Sequence, residues 1–360
     1  GVFSTASGTS WGPKISELPN DATYGGNTDN EYTQKFGKQQ GKYYVPQRAA
    51  AGLDPWATPQ AYDNAKDFFD TGITWSNSLN VAQMLDKSSY SISLGNTHQD
   101  GIISSTGMDR YNVKVSADTK LTNNWSSGFT ANYITTSIDK AVTSGNGLLR
   151  TVYAAPPSYD LAGIPSHVDG NPYTQNSFRG SFDNAYWAME NKKFTEDTNR
   201  FFGNVYASYQ TDFGTTNHKL NAKYMVGVDA YTTHYVDSYG YGSNTGGGRG
   251  QIENYGWTNA TYNSLLTINY DWHINEDWGL NAVVGNEIIQ SNRKKYYEYG
   301  TNYNFPGWNH INNATTQQTE EETWKNRTVG FFGNVSASYR NMLYLTLPGR
   351  QDYVSNMPRN

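Results

Sequence analysis

The sequence predicts an all-β fold, an antiparallel transmembrane β-barrel segment of about ten strands. Three observations carry this reading. Aromatic residues are dense, with 29 Tyr, 10 Trp and 14 Phe against only 16% charged residues, a composition that suits strands better than packed helices. Apolar and polar residues alternate with period two through most of the chain. Connections are short within each pair of strands and long between pairs, the asymmetry of an outer-membrane barrel.

Residues 1–70 are polar and turn-rich ("SELPNDATYGGNTDNE") and read as an external loop region of the barrel, with a short helix near Pro59–Phe69. From Thr71 the texture changes. "ITWSNSLNV" sets Ile73, Trp75, Leu79 and Val81 on one face, and "SYSISLGN" does so with Tyr90, Ile92 and Leu94. "YNVKVSADTKL" opposes Tyr111, Val113, Val115 and Ala117 to Asn112, Lys114, Ser116 and Asp118. The same alternation runs through "KLNAKYMVGVDA", "SLLTINYDW" and "WGLNAVVGNEI". It predicts five hairpins over 71–353, centred near 77/93, 115/131, 205/226, 265/287 and 333/347. Long loops are expected at 138–196, 236–256 and 301–323, and 354–360 opens a further external loop.

The apolar face is built from Val, Leu, Ala and Tyr, and the other from Asn, Ser, Thr and scattered charges, as a wet lumen requires. Trp125, Trp272 and Trp278 flank the tight turns, while Tyr235, Tyr239, Tyr296 and Tyr299 lie toward the long loops. Two such bands are expected at two membrane interfaces. A soluble β-sandwich or propeller also alternates, but its outward face is charged and its core face large and branched.

Several function classes fall away. A net charge of −5 gives no reason to expect nucleic acid as a partner. The absence of cysteine removes disulfides, thiolate metal sites and a Cys nucleophile. No stretch reaches the ~20 apolar residues of a spanning helix. His98, His167, His218, His234, His273 and His310 are scattered and show no metal-ligand spacing. "TEEET" (319–323) reads as a solvated acidic loop, and "GGGRG" (246–250) as a flexible one without the strand-to-helix context of a phosphate loop. No catalytic residue, metal or cofactor site is predicted.

"FFGNVYASYQ" (201–210) and "FFGNVSASYR" (331–340) form a near-repeat. "SWGPKI" (10–15), "DFFDTGITWSNSLNV" followed by "KSSYSISLGNTHQDGII", "DRYNVKVSADTKLTNNW" and "FRGSFDNAYW" precede or join them in order. Together these segments resemble the SusC/RagA-like TonB-dependent transporters of the Bacteroidetes outer membrane, over nearly the whole chain. No one segment is diagnostic, but their succession is specific. The departures are Ala185, where the family usually has Pro, and Pro348 within the last strand, where a barrel strand needs its amide donor.

The resemblance implies a large barrel with a plugged lumen, of which this chain supplies part. The plug, the TonB-contacting segment and the remaining strands are expected outside these residues. "LTLPGRQDYVSNMPRN" (345–360) then reads as a rising strand cut mid-barrel, with Arg350 and Asp352 where the chain meets water. The implied function is import of oligosaccharides or peptides across the outer membrane. A SusD-like surface lipoprotein would act as lid, and TonB with its inner-membrane complex would supply energy. Candidate substrate contacts are Arg179, Tyr186, Trp187, Tyr303, Trp308 and His310, all in the expected long loops. Loop packing is the competing role for each, above all for Trp187. Two alternatives stay open: a secreted all-β carbohydrate-binding or carbohydrate-degrading protein, and a passive outer-membrane porin.

Overall fold

The computed structural model describes residues 14–142, 148–178, 180–245 and 247–356. Candidate Arg179, most of the "SWGPKI" segment, Gly246 and residues 357–360 lie outside the described residues.

Ten strands form one antiparallel sheet in strict chain order. They are β1 (Thr74–Met84), β2 (Ser88–Asp100), β3 (Gly107–Lys120), β4 (Trp125–Lys140) and β5 (Lys192–Thr211), then β6 (His218–Tyr239), β7 (Gln251–His273), β8 (Trp278–Tyr303), β9 (Ala314–Tyr339) and β10 (Leu343–Val354). All five expected hairpins are present. Each is closed by a short turn at one end, as at 85–87 and 340–342. In the last of these, Arg340 and Asn341 both take positive φ, 50° and 52°, the backbone of a type I′ hairpin turn. The Arg340 side chain is held by Asp277 of the neighbouring turn at 2.9 Å.

Register assigns the faces. Cross-strand partners such as Val113↔Tyr133, Tyr133↔Phe201, Val205↔Val226 and Val284↔Gly333 place the apolar residues of all strands on one side. Large apolar side chains there are open to the surroundings: Leu79 58%, Val205 53%, Val284 55%, Phe331 54%. In water this surface would drive association, whereas in a membrane barrel it is the lipid face. Toward the turns it is rimmed by Tyr90, Trp125, Tyr209, Trp272, Trp278 and Tyr339, with Trp125 on Tyr209 at 5.0 Å and Trp278 on Tyr339 at 4.8 Å. The opposite side carries polar contacts, among them Ser91 Oγ to Ser116 Oγ at 2.7 Å and Asn281 Nδ2 donating to Asn269 Oδ1 at 2.7 Å.

The upper aromatic band differs from the expectation. β6 and its neighbours run 20 residues or more, so Tyr235 stands ~50 Å along the strand from Leu220, beyond the ~30 Å hydrocarbon core. By parity Tyr235, Tyr239 and Tyr299 lie on the polar face, leaving only Tyr296 on the other. Instead Tyr111, Tyr133, Phe201, Tyr262 and Phe331 form the second lipid-side rim. Phe201 to Tyr209 spans ~27 Å of strand, which suits the ~25 Å apolar band of such barrels.

The same extension shortens two loops. β6 continues to Tyr239 and β7 starts at Gln251; β8 continues to Tyr303 and β9 starts at Ala314. The "TEEET" carboxylates therefore sit in β9 and not in a loop, with Lys294 facing Glu321 at 2.9 Å and Lys295 facing Glu322 at 3.3 Å. Above the membrane both faces are polar, so the apolar alternation ends while charge and Tyr pairs carry the ladder on. Pro348, on β10, pairs opposite Asn334 of β9, and among the described residues β10 has only β9 beside it. About half the amides of such a strand point away from its one neighbour, and the ladder continues to Val354↔Thr328.

The region before β1 and the β4–β5 connection are folded together at the long-loop end. There are five short helices, α1 (Glu31–Phe36), α2 (Pro46–Ala50), α3 (Asn64–Phe68), α4 (Leu148–Ala154) and α5 (Ala185–Asn191), of which α3, α4 and α5 line a shared core. Leu18, Tyr43, Val45 and Phe68 meet Leu148, Val152, Tyr159, Leu161, Ile164, Phe178 and Trp187 there, joined by Ile103 from the β2–β3 loop. α3 falls inside the helix expected at Pro59–Phe69. Polar groups stitch the two segments: Tyr43 OH donates to Ser158 O at 2.7 Å and Asn176 Nδ2 to Gln47 O at 2.8 Å. The expected bare loops are thus a packed layer, whose core is assembled from segments about a hundred residues apart and leaves no local periodicity to read.

Candidate functional site

On the polar face, above the lipid-side rim, three registers of neighbouring side chains cross the sheet. The upper one is Glu196↔Tyr235↔Tyr255↔Tyr297↔Glu320, from β5 to β9. Tyr235 and Tyr255 stack at 4.8 Å and 9°, and Tyr255 meets Tyr297 at 6.3 Å. Phe194 extends the row on β5, 6.3 Å from Tyr235. Lys140 of β4 lies over both, 5.2 and 5.0 Å from their rings, and pairs with Glu196. The middle register is Thr198↔Thr233↔Trp257↔Lys295↔Glu322. The lower is Arg200↔Tyr231↔Asn259↔Arg293↔Trp324.

Each ring occupies an alternate strand position, which fixes its side of the sheet. Mutual stacking holds the rings rigid, so contact with a solute costs little further ordering. Tyr hydroxyls, Asn and Thr supply directional hydrogen bonds. Arg200 is fully engaged by Asp229, with Nε to Oδ1 at 2.8 Å and Nη2 to Oδ2 at 2.6 Å. The surface is therefore a preorganised aromatic and hydrogen-bonding track. Among the described residues no group of three His, Cys, Asp or Glu could hold a metal ion.

The residues expected from sequence are dispersed. Trp187 is fully buried. Its N–H and that of Tyr186 are capped by the Asn184 side chain, and its Nε1 donates to Pro172 O at 2.8 Å. Tyr303 is also fully buried, packed with Ile252 and Ala314. For both, packing is the role the structure gives, since neither offers surface to a solute. Tyr186 is half-buried, edge-on to Phe68 at 5.4 Å. Trp308 and His310 are exposed and stacked at 5.0 Å and 8°, with Phe305 also stacked on Trp308 at 5.9 Å. Asn313, buried beneath, donates from Nδ2 to Phe305 O and Trp308 O and so fixes the stack.

The "DNAYW" stretch has a structural explanation. Asp183 ties three segments together: it accepts from Gln175 Nε2, Ser243 Oγ and Asn244 N–H, and faces Lys192. Ala185 is the first residue of α5, a position that accepts Pro equally well. Sequence reasoning missed the aromatic track, although its signal was present. Tyr255 and Trp257, and likewise Tyr297 and Tyr299, recur at spacing two, on the face that lower down carries Asn and Thr.

No family model matches the chain. It is 23% identical over 318 residues to TonB-dependent receptor P3 of Formosa agariphila, covering 84% of this chain and 30% of that one. TonB-dependent receptor P26 of the same organism is 24% identical over 325 residues, with 82% and 30% covered. The chain thus spans about 30% of the length of these curated relatives. Among solved structures, the RagAB peptide transporter superposes with TM-score 0.66 at 16% identity, over 83% of this chain and 34% of that one. Its closed-closed state also gives 0.66, over 82% and 33%. That likeness establishes the fold.

Proposed function

From a chain that resembles the SusC/RagA-like TonB-dependent transporters in sequence and carries part of their barrel fold, we propose that it belongs to an importer of oligosaccharides or peptides in the outer membrane. The observation that carries this reading is the aromatic track centred on Tyr235, Tyr255 and Tyr297, set on the polar face above the lipid band. Cargo passes along that face, and the exposed Trp308–His310 stack offers a further contact at the loop tips. A SusD-like lipoprotein closes the external mouth, and TonB energises release through parts of the protein outside this chain. The protein is a transporter and not a catalyst.

A secreted all-β protein fits poorly, because it would have to keep Leu79, Val205, Val284 and Phe331 in water. Uptake of fluorescently labelled oligosaccharides and peptides by intact cells tests the proposal. Deleting the gene should abolish uptake of one cargo class, and so should collapsing the inner-membrane proton gradient. Uptake that persists without the gradient would point to a passive porin.

A further inference from the structure

We propose that Arg293, clamped between Trp257 and Trp324, recognises an anionic group on the cargo, and that the cargo is an acidic oligosaccharide bearing carboxylates or sulfate esters. The inference rests on the import reading and narrows its substrate class.

The Arg293 guanidinium carbon lies 5.0 Å from the Trp257 ring centroid and 5.6 Å from that of Trp324. Arg293 and Trp324 are direct register partners, while Trp257 faces Lys295 and so lies diagonally across. Stacking engages only the faces of a guanidinium, leaving its in-plane N–H donors to be satisfied. Neighbouring cations on this face have carboxylates: Arg200 has Asp229, Lys140 has Glu196 and Lys295 has Glu322. Among the described residues Arg293 has no carboxylate or hydrogen-bond acceptor. It presents a planar fork of donors with no partner among the described residues, and its natural complement is a carboxylate or sulfate oxygen pair.

The adjoining indole selects the rest of the ligand. Trp324 is 41% exposed and offers an apolar face beside the cation. A sugar ring lays its C–H face on such a surface while its acidic substituent reaches the guanidinium. An oligoglutamate peptide supplies the charge but no ring face to lay on the indole.

The test uses the full-length transporter purified with its lid protein, titrated calorimetrically with four probes. These are oligogalacturonate, its carboxyl-reduced neutral counterpart, a sulfated galactan oligosaccharide and an oligoglutamate peptide. At least one acidic glycan should bind more tightly than the neutral one, and which one binds tells a uronate from a sulfate ester. Arg293→Gln should weaken that binding about 10- to 100-fold. Arg293→Lys should restore only part of it, because a point charge lacks the fork, and Trp324→Ala should weaken acidic-glycan binding. Native-like heat-modifiable migration on a gel verifies that each variant is folded.

Equal affinity for the neutral glycan, an unchanged affinity in Arg293→Gln, binding of oligoglutamate alone, or no glycan binding would each overturn the inference. Import of a neutral glycan or a peptide at wild-type rate by Arg293→Gln overturns it while the import reading survives. Absence of any gradient-dependent uptake defeats the import reading itself.

Discussion

Asp183 Oδ2 and Lys192 Nζ meet at 2.9 Å with both side chains 1% exposed, at the junction of α5 with β5. The approach is ionic, outside hydrogen-bond angles, and Lys192 also lies 4.8 Å over the Tyr239 ring. Asp183 is further bonded to Gln175, Ser243 and Asn244. One buried carboxylate thereby joins the loop layer to the β6–β7 loop. Removing one member of a buried pair leaves the other charge stranded, which costs about 3–5 kcal/mol. Asp183→Asn should therefore loosen residues 148–191 and 240–250 together. Amide hydrogen exchange on detergent-solubilised protein should accelerate in both segments while the strands below keep wild-type protection. Acceleration in only one of them would show that Asp183 does not couple them.

The same group makes the layer sensitive to acid. Burial pushes the Asp183 carboxyl up, but Lys192 beside it, with hydrogen bonds from Ser243, Asn244 and Gln175, outweighs burial and holds it below the ordinary carboxylate range. A folded value lower than the unfolded one stabilises the folded form above the unfolded value, about pH 4. That contribution is lost as pH falls through the folded value. Corrected for the intrinsic rate, amide protection in 148–191 should fall on acidification below about pH 4 in the wild type. In Asp183→Asn it should change less across the same range, and parallel curves would assign the acid response to other carboxylates.

How much was legible follows from where period-two alternation has physical cause. In the lipid band one face must be apolar, so Tyr111-x-Val113-x-Val115-x-Ala117 declares strand, face and hairpin at once. Above the band neither face meets lipid, and Glu253, Tyr255 and Trp257 alternate with Asn254 and Gly256 without an apolar side to reveal the strand. The aromatic track therefore carries the sequence pattern of loop and interface residues. The loop layer is hidden for another reason: Tyr43 and Ser158 bond across 115 positions, and short capped helices carry little periodic signal. Trp187 was legible as a packing residue only through the resemblance of its motif.

Trp187 and Trp308 stood together as sequence candidates, and the structure separates them. Trp187 fills the shared core at 0% exposure and Trp308 is 44% exposed. Trp187→Ala should cost about 3–5 kcal/mol through the cavity it leaves, seen as a lower unfolding temperature of the loop layer. Trp308→Ala should change stability by no more than about 0.5 kcal/mol, while lowering cargo affinity if the loop tip touches cargo. Similar thermal shifts for the two would contradict the burial assigned to Trp187.

Val205 and Asn204 are adjacent on β5 yet face opposite sides of the sheet. Val205 lies between Phe129 and Val226, midway between the Phe201 and Tyr209 rims. Asn204 shares a polar hollow with Lys114, Asn132, Asp229 and Asn263. An arginine at the midplane of the lipid face costs about 2–4 kcal/mol, because no water can reach it. Val205→Arg should thus fold poorly into bilayers, whereas Asn204→Arg, beside Asp229 in a wet lumen, should fold close to wild type. Reversible urea titration in lipid vesicles measures the difference. A larger penalty for Asn204→Arg would exchange the two faces, and with them the placement of the aromatic track and of Arg293.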